Sequence, residues 1–502
     1  MSHGGDFGEV FSEDRYYTQM NMIAEGASDG GKASGIACGL ESGTGIRIFE
    51  GEASLYFYAD GADEAALFRL LKDGWKPGRK AAAGTTAGFS ATAGNCGISG
   101  SSVPGGGFRA GSCGGAVGLC FGSSDAGDFC GGAAARGVTA YGYTGAACDA
   151  ARICGATLSE KAALLRRCNL AGFCADEHTC RMRSRYVDMD QSVFIANTEG
   201  LAATDRRLKT RLHITASAKD GDETQSSYTG PGAMDDFSFY EKIDPEAVAA
   251  QTAKRAAGLL HAVCCPTGRM PVVIANGFGG LFFHEACGHS LEASAVCGGA
   301  SEFAGRIGQQ VAAEKVSLID DGSLPYEWGS LGIDDEGRPT QKNVLIENGI
   351  LKGFLVDRWN GKKLDMEATG SARRQSYRFA PTSRMTNTYI SPGTDSLEQM
   401  IASVDHGIYV RAINAGSVNP PTGEFNFNTS ETFLIEHGEI TKPVHSATLI
   451  GTGGGILRRV EMVGSDYALG QGFCYAGSGA IFIGAGQPSV KISEMTVGGD
   501  EA

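Results

Sequence analysis

A chain of 502 residues, 42% hydrophobic and 20% charged, is long enough for two cores, and no apolar stretch in it approaches the ~20 residues that span a bilayer. Its formal charge of −14, from 43 basic and 57 acidic side chains with no block of Lys or Arg, excludes a phosphate-binding stripe and with it direct nucleic-acid binding. Fifteen Cys, an odd number with no C-x-x-C pair and no basic-then-apolar leader after Met1, point to reduced thiols and a cytoplasmic protein.

In chain order, Gly45 to Tyr58 (GIRIFEGEASLYFY) alternates on both sides of a Glu-Gly turn and predicts a hairpin. Asp63 to Lys72 has helical spacing, with Gly74 as its stop. Much of the chain's excess of Gly, 75 residues in all, falls in 81–157, among Ala, Ser and Cys. That stretch has no sustained period, and it buries too little to offset its backbone entropy. A poorly ordered insertion is expected there, with irregular packed strands as the alternative. Ser159 predicts the cap of a helix running to Cys168, and Tyr186 to Ala218 reads as a strand meander. A Gly/Pro loop at 226–234 divides the chain into an N-terminal α+β domain, 1–235, and a β-rich domain, 236–502.

Asp244-Pro245 opens a helix to about His261, and Met270 to Ala275 is a short buried strand that turns into the segment LFFHEACGHSLEA. Beyond it, Asn348-Gly349 and His437-Gly438 mark two hairpins of the same layout, which suggest one sheet or barrel around a common core. Between them Ser396 and Gln399 form the capping box of a helix.

The chemistry lies in His284, Glu285 and His289. Zinc takes neutral imidazole nitrogen, and a catalytic site keeps one position for water. The familiar motif places two His four apart on one helical face. Here the spacing is five, which on a regular helix turns the second ring away by roughly 140°. The rings converge only if the helix gains a residue, as a π-bulge does, and Gly288 is the residue best able to permit that. Glu285 would then stand beside the metal-bound water, whose pKa zinc lowers toward ~7, and take its proton. An ordinary amphipathic helix with surface His and Glu would show the same three residues. For a third ligand Glu292, Glu302, His406, His437, His445 and Cys474 all stay open, Cys474 with the advantage of a Gly-rich turn around it. Cys287, inside the motif, reads as a packing thiol. The adjacent Arg373 and Arg374, with Tyr377, would bind a substrate carboxylate or an interdomain acid, against the alternative of a solvated basic face.

Four segments carry a resemblance to a family: MPVVIANGFGGLFFHEACGHSLEA, WGSLGIDDEGRPTQKNVLIENGILKGFLVDR, TGSARRQSYRFAPTSRMTNTYI and GAGQPSVKISEMTVGG. In this order they resemble the TldD branch of the TldD/PmbA metalloproteases, and residues 81–157 fall outside the likeness. The resemblance implies an α+β fold, an N-terminal sheet-and-helix domain followed by a β-rich metal-bearing domain with the motif helix. It implies a zinc endopeptidase with one ion per chain, His284, His289 and the thiolate of Cys474 as ligands, and Glu285 as base. It further implies unfolded peptides as substrate and a homologous TldE/PmbA-like partner lacking the motif, a homodimer being the alternative. The competing reading is a non-catalytic scaffold or partner-binding subunit, which has no use for this residue set.

Overall fold

The computed structural model describes residues 5–26, 30–61, 86–92, 95–103, 119–121, 154–419 and 422–499. The helix expected at 63–72 and most of 81–157 lie outside them. Within 81–157 the strands Thr86–Thr92 and Asn95–Val103 extend the first sheet, and Leu119–Phe121 joins the second.

The fold mixes helix and strand as expected. The first sheet is built on Phe7–Ala24, which pairs antiparallel with Lys32–Glu50 on one side and Thr179–Asn197 on the other. Lys32–Glu50 turns through Gly51, at φ +58°, into Ala53–Asp60, so the predicted hairpin is present with a longer first arm. Phe7–Ala24 shows why period-2 patterning alone misses it. Phe7, Glu9, Phe11, Glu13 and Arg15 are buried in its first half, Thr18, Met20, Met22 and Ala24 in its second. Successive side chains point to opposite faces, so the strand buries one face at one end and the other face at the other.

The second half lies under two helices. Leu158–Phe173 brings Leu164, Leu165 and Cys168 onto Met20, Met22 and Met182, and Pro245–Ala257 adds Ala249, Ala253 and Ala256, small enough for close approach. The first helix is capped by Thr157, not Ser159: Thr157 Oγ1 accepts from Glu160 N–H at 3.3 Å, and Glu160 Oε2 accepts from Thr157 N–H at 2.7 Å. Asp244 caps the second helix ahead of Pro245, as expected. Under the first helix, Lys161 is buried against Asp188 at 2.5 Å, a pairing a buried cation requires.

The other face of Phe7–Ala24 meets the C-terminal body. There the strands Glu424–Glu436, Ala447–Thr452, Val490–Gly499, Gly268–Ile274 and His406–Asn419 pair in succession, and the last pairs back to the first, closing a small barrel. A separate sheet runs Ile350–Leu351, Lys342–Glu347, Leu318–Asp321, Asn387–Ile390, Gly479–Gln487, Ala468–Ala476. Both expected hairpins form, with Asn348 at φ +48° and His437 at φ +53°, each followed by a glycine at +81°. They belong to different sheets, not one. Among the described residues no helix is long and apolar enough to cross a membrane.

One half-buried group in the first sheet gives a pH response. His213 Nδ1 lies 2.7 Å from the Tyr228 hydroxyl, and burial, reinforced by Arg211 and Arg185, holds its pKa well below the ordinary imidazole value. The folded chain therefore keeps it neutral while the unfolded chain takes a proton near pH 6.5. The stability this contributes is present above pH 6.5 and is lost as pH falls below it. His213→Gln is expected to flatten the acid side of the melting-temperature profile; unchanged steepness between pH 6.5 and 5 would assign the acid response to other groups.

Candidate metal centre

The strand Gly268–Ile274 buries Val272, Val273 and Ile274, and Asn276 leads from it into the next turn. Gly277, at φ +77°, turns the chain, and a Cβ on Gly280 would stand 2.3 Å from the Gly486 carbonyl carbon. The segment therefore lies tight against the strand Gly479–Gln487. One α-turn, Leu281–Phe283, follows, then a π-turn over His284–Gly288, then a 3₁₀ turn His289–Leu291, and the chain straightens at Glu292. The widened turn that the five-residue spacing demands is present. Gly288 plays a different part from the expected one. Its φ of −59° is open to any residue, but a Cβ there would stand 2.2 Å from Met385 Sδ, so the glycine supplies space instead of conformational freedom.

The π-turn brings the rings of His284 and His289 to 5.3 Å between centroids. The edge strand Ala468–Ala476 presents Cys474, whose Sγ is 3.2 Å from His289 Nε2, and Glu285 Oε2 is 3.6 Å from the same nitrogen. One donor atom each from His284, Glu285, His289 and Cys474 lies within 4.8 Å of the others, and all four residues are buried. Among the described residues neither ring nitrogen of His284 has a hydrogen-bond partner. Leaving such buried groups unpaired costs about 1–3 kcal/mol each, which a bound cation would relieve. Burial acts to lower the pKa of His289, yet Cys474, Glu292 and Glu285 together carry it well above its ordinary value. Two carboxyl groups and a thiol around one imidazole make a pocket suited to a cation. Two imidazoles with a thiolate are a donor set suited to zinc.

The far nitrogen of His289, Nδ1, lies 3.2 Å from Glu292 Oε2, so Glu292 orients the ring from behind. Arg384, which the sequence reading passed over, links the pieces: Nη2 donates to the Cys474 carbonyl at 2.9 Å, Nη1 to Ser478 Oγ at 2.9 Å, and Nε lies 3.8 Å from Glu292 Oε1. Its only signal in sequence was a place in the run that also holds Arg373. Arg211 reaches across from the first sheet to the Gln471 carbonyl on the Cys474 strand at 2.6 Å.

The remaining sequence candidates fall elsewhere. Glu302 accepts from Gly454 N–H, and His406 and His437 are exposed beside Asp405. The His445 N–H bonds the Val263 carbonyl. Cys287 is fully buried, and burial pushes its thiol well above the ordinary range, as a protonated packing group requires. Arg373, Arg374 and Tyr377 are all buried. Arg373 donates to the Met385 carbonyl at 2.7 Å. Arg374 donates to Glu9 at 2.8 Å and to the Tyr56 hydroxyl at 3.0 Å, and Tyr377 bonds Asp60 and, through its N–H, Glu13. Arg374 and Tyr377 thus meet acids of the first sheet, whereas Arg373 meets a main-chain carbonyl.

Such a donor set on a widened helical turn, next to a buried carboxylate, could hold a metal ion. Residues 267–499 match the PmbA/TldA metallopeptidase C-terminal domain and residues 153–260 its central domain. A metalloprotease TldD homologue of Haemophilus influenzae is 38% identical over 350 residues, 68% of this chain and 73% of that one. A Saccharolobus solfataricus relative named a zinc metalloprotease TldD homologue is 31% identical over 57% of this chain and 64% of its own. The crystal structure of TldE from Thermococcus kodakarensis superposes with a TM-score of 0.68 at 17% identity, covering 99% of this chain and 97% of that one. The chain belongs to the PmbA/TldD metallopeptidase family.

Proposed function

We propose that the protein is a zinc-dependent endopeptidase that hydrolyses unfolded or extended peptides, with one zinc ion held by His284, His289 and Cys474. The observation that carries this reading is the convergence of those three side chains and Glu285 within 4.8 Å of one another in a buried pocket. Zinc bound there supplies Lewis acidity, which acidifies water and polarises the scissile carbonyl. Glu285 takes the proton from the attacking water on a carboxylate oxygen and returns it to the departing amide nitrogen. Glu292 keeps His289 in the tautomer that offers Nε2 to the ion, with its proton on Nδ1. Arg384 fixes the Cys474 strand through its carbonyl. The cleft would be completed by a TldE/PmbA-like subunit or by a second copy of this chain, in the cytoplasm, with neither nucleic acid nor membrane as partner.

The test is cleavage of an unfolded polypeptide by protein stripped with a chelator and then reloaded. Cleavage is expected to vanish on stripping and return with about one tightly held zinc per chain. Protein that holds zinc, alone and with its partner subunit, yet never cleaves would leave the scaffold reading standing. A second expectation separates the thiols. Cys474→Ser should weaken zinc retention by at least about tenfold, while Cys287→Ser leaves it unchanged. Equal retention in both variants and the wild type removes Cys474 from the ligand set.

A further inference from the structure

We propose that Asp405, His406 and His437 form a second, surface site for a divalent transition-metal ion such as Zn²⁺, Cu²⁺ or Ni²⁺, independent of the buried centre. The three residues come from two turns that the fold ties together. Asp405 and His406 follow the short helix Leu397–Ala402 and open the strand His406–Asn419. His437 sits at the tip of the hairpin between Glu424–Glu436 and Glu439–Val444. Backbone bonds lock one turn to the other: His437 N–H donates to the Asp405 carbonyl at 2.7 Å, and Gly438 N–H to the Val404 carbonyl at 2.9 Å. The left-handed backbone of His437, at φ +53°, is fixed by the same contacts.

This framework sets the side chains close before any ligand arrives. His437 Nδ1 lies 2.8 Å from one oxygen of Asp405, and His406 Nε2 lies 3.4 Å from the other. The ring centroids are 5.0 Å apart, and one donor atom from each of the three residues lies within 4.8 Å of the others. An exposed His–Asp pair alone contributes little to stability. A second imidazole on the same carboxylate adds what a metal site needs, a second neutral nitrogen donor beside a fixed negative charge. Two imidazoles with one carboxylate favour Zn²⁺, Cu²⁺ or Ni²⁺ over Mg²⁺ and Ca²⁺, which want oxygen donors. Exposure of all three residues leaves water to complete the coordination. A bound ion would cross-link the hairpin tip to the helix end and so brace the closed barrel there.

The experiment is a zinc titration of the metal-stripped full chain against a chromophoric chelator. Wild type should show two classes of site, one that survives dialysis and one weaker. His406→Ala and His437→Ala, both at exposed positions, should each weaken the second class at least about tenfold and leave the first unchanged. Cys474→Ser should do the reverse, which keeps this result separate from that of the buried centre. With one equivalent of Cu²⁺ on protein already holding its tight zinc, electron paramagnetic resonance should show two imidazole nitrogens, and one in either His variant. A single class in wild type, or a second class that survives in the His406→Ala/His437→Ala double variant, would overturn the proposal. So would loss of the second class in His261→Ala, whose ring lies by Asp220 and Glu223.

Discussion

Glu285→Gln is expected to lower peptide cleavage by at least about 10²-fold while zinc content stays at the wild-type level. The carboxylate is fully buried in the π-turn, 3.6 Å from His289 Nε2, so it stands at the edge of the donor cluster. Glutamine keeps the shape and a hydrogen-bonding oxygen but cannot accept a proton at neutral pH. The paired measurement of metal content and turnover gives the variant its meaning. Loss of zinc together with activity would make Glu285 a fourth ligand and move the base elsewhere. Full activity would remove it from the chemistry altogether.

Arg374→Ala is expected to destabilise the fold by about 3–5 kcal/mol, the cost of breaking a buried ion pair from one side. Arg374 joins the two bodies: Nη2 reaches Glu9 Oε1 at 2.8 Å and the Asp335 carbonyl at 2.7 Å, and Nη1 reaches the Tyr56 hydroxyl. Arg47 continues the network, between Glu9 at 2.9 Å and Glu336 at 2.5 Å, and Arg207 pairs with Asp335 at 2.8 Å. All of these groups are buried, so solvent cannot replace a missing partner. Chemical denaturation should show the midpoint moving, with Arg374→Lys failing to restore it, because an ammonium cannot span the three acceptors. A shift within about 0.5 kcal/mol, the range of ordinary surface changes, would mean the bodies are held mainly by apolar contact.

Local chemistry made several elements legible in the sequence. Positive-φ residues wrote the hairpin turns at Asn348-Gly349 and His437-Gly438, and the Ser396–Gln399 capping box is present as read. What local chemistry cannot say is which sheet a hairpin joins, and these two went to different ones. Thr157 was missed because two hydroxyls precede the helix, and only the one three residues before Glu160 completes the capping box. Phe7–Ala24 was missed because its buried parity inverts halfway. At the site, ring geometry constrained His284 and His289 to a widened turn, which is a local requirement. The partners of Arg373 and Arg374, and the span of Arg384, depend on residues brought together from distant parts of the chain, and nothing near them in sequence announces those contacts. Helix Pro245–Ala257, which lies beyond the Gly/Pro loop at 226–234 that divides the chain in sequence, packs in the core of the first sheet.

The π-turn at His284–Gly288 also has a consequence for how spacing translates into neighbourhood. A π-turn is an α-helix that has absorbed one surplus residue, so its flanks keep the phase they would have without it. Deleting Ala286 or Cys287 would restore the regular backbone ladder, and the two imidazoles, now four apart, would still share a face. Counting along the chain, the segment is one residue removed from the commoner zinc helix; in space the rings have hardly been displaced. The supernumerary residue costs the helix some regularity, yet the centroids of the two imidazoles stay 5.3 Å apart.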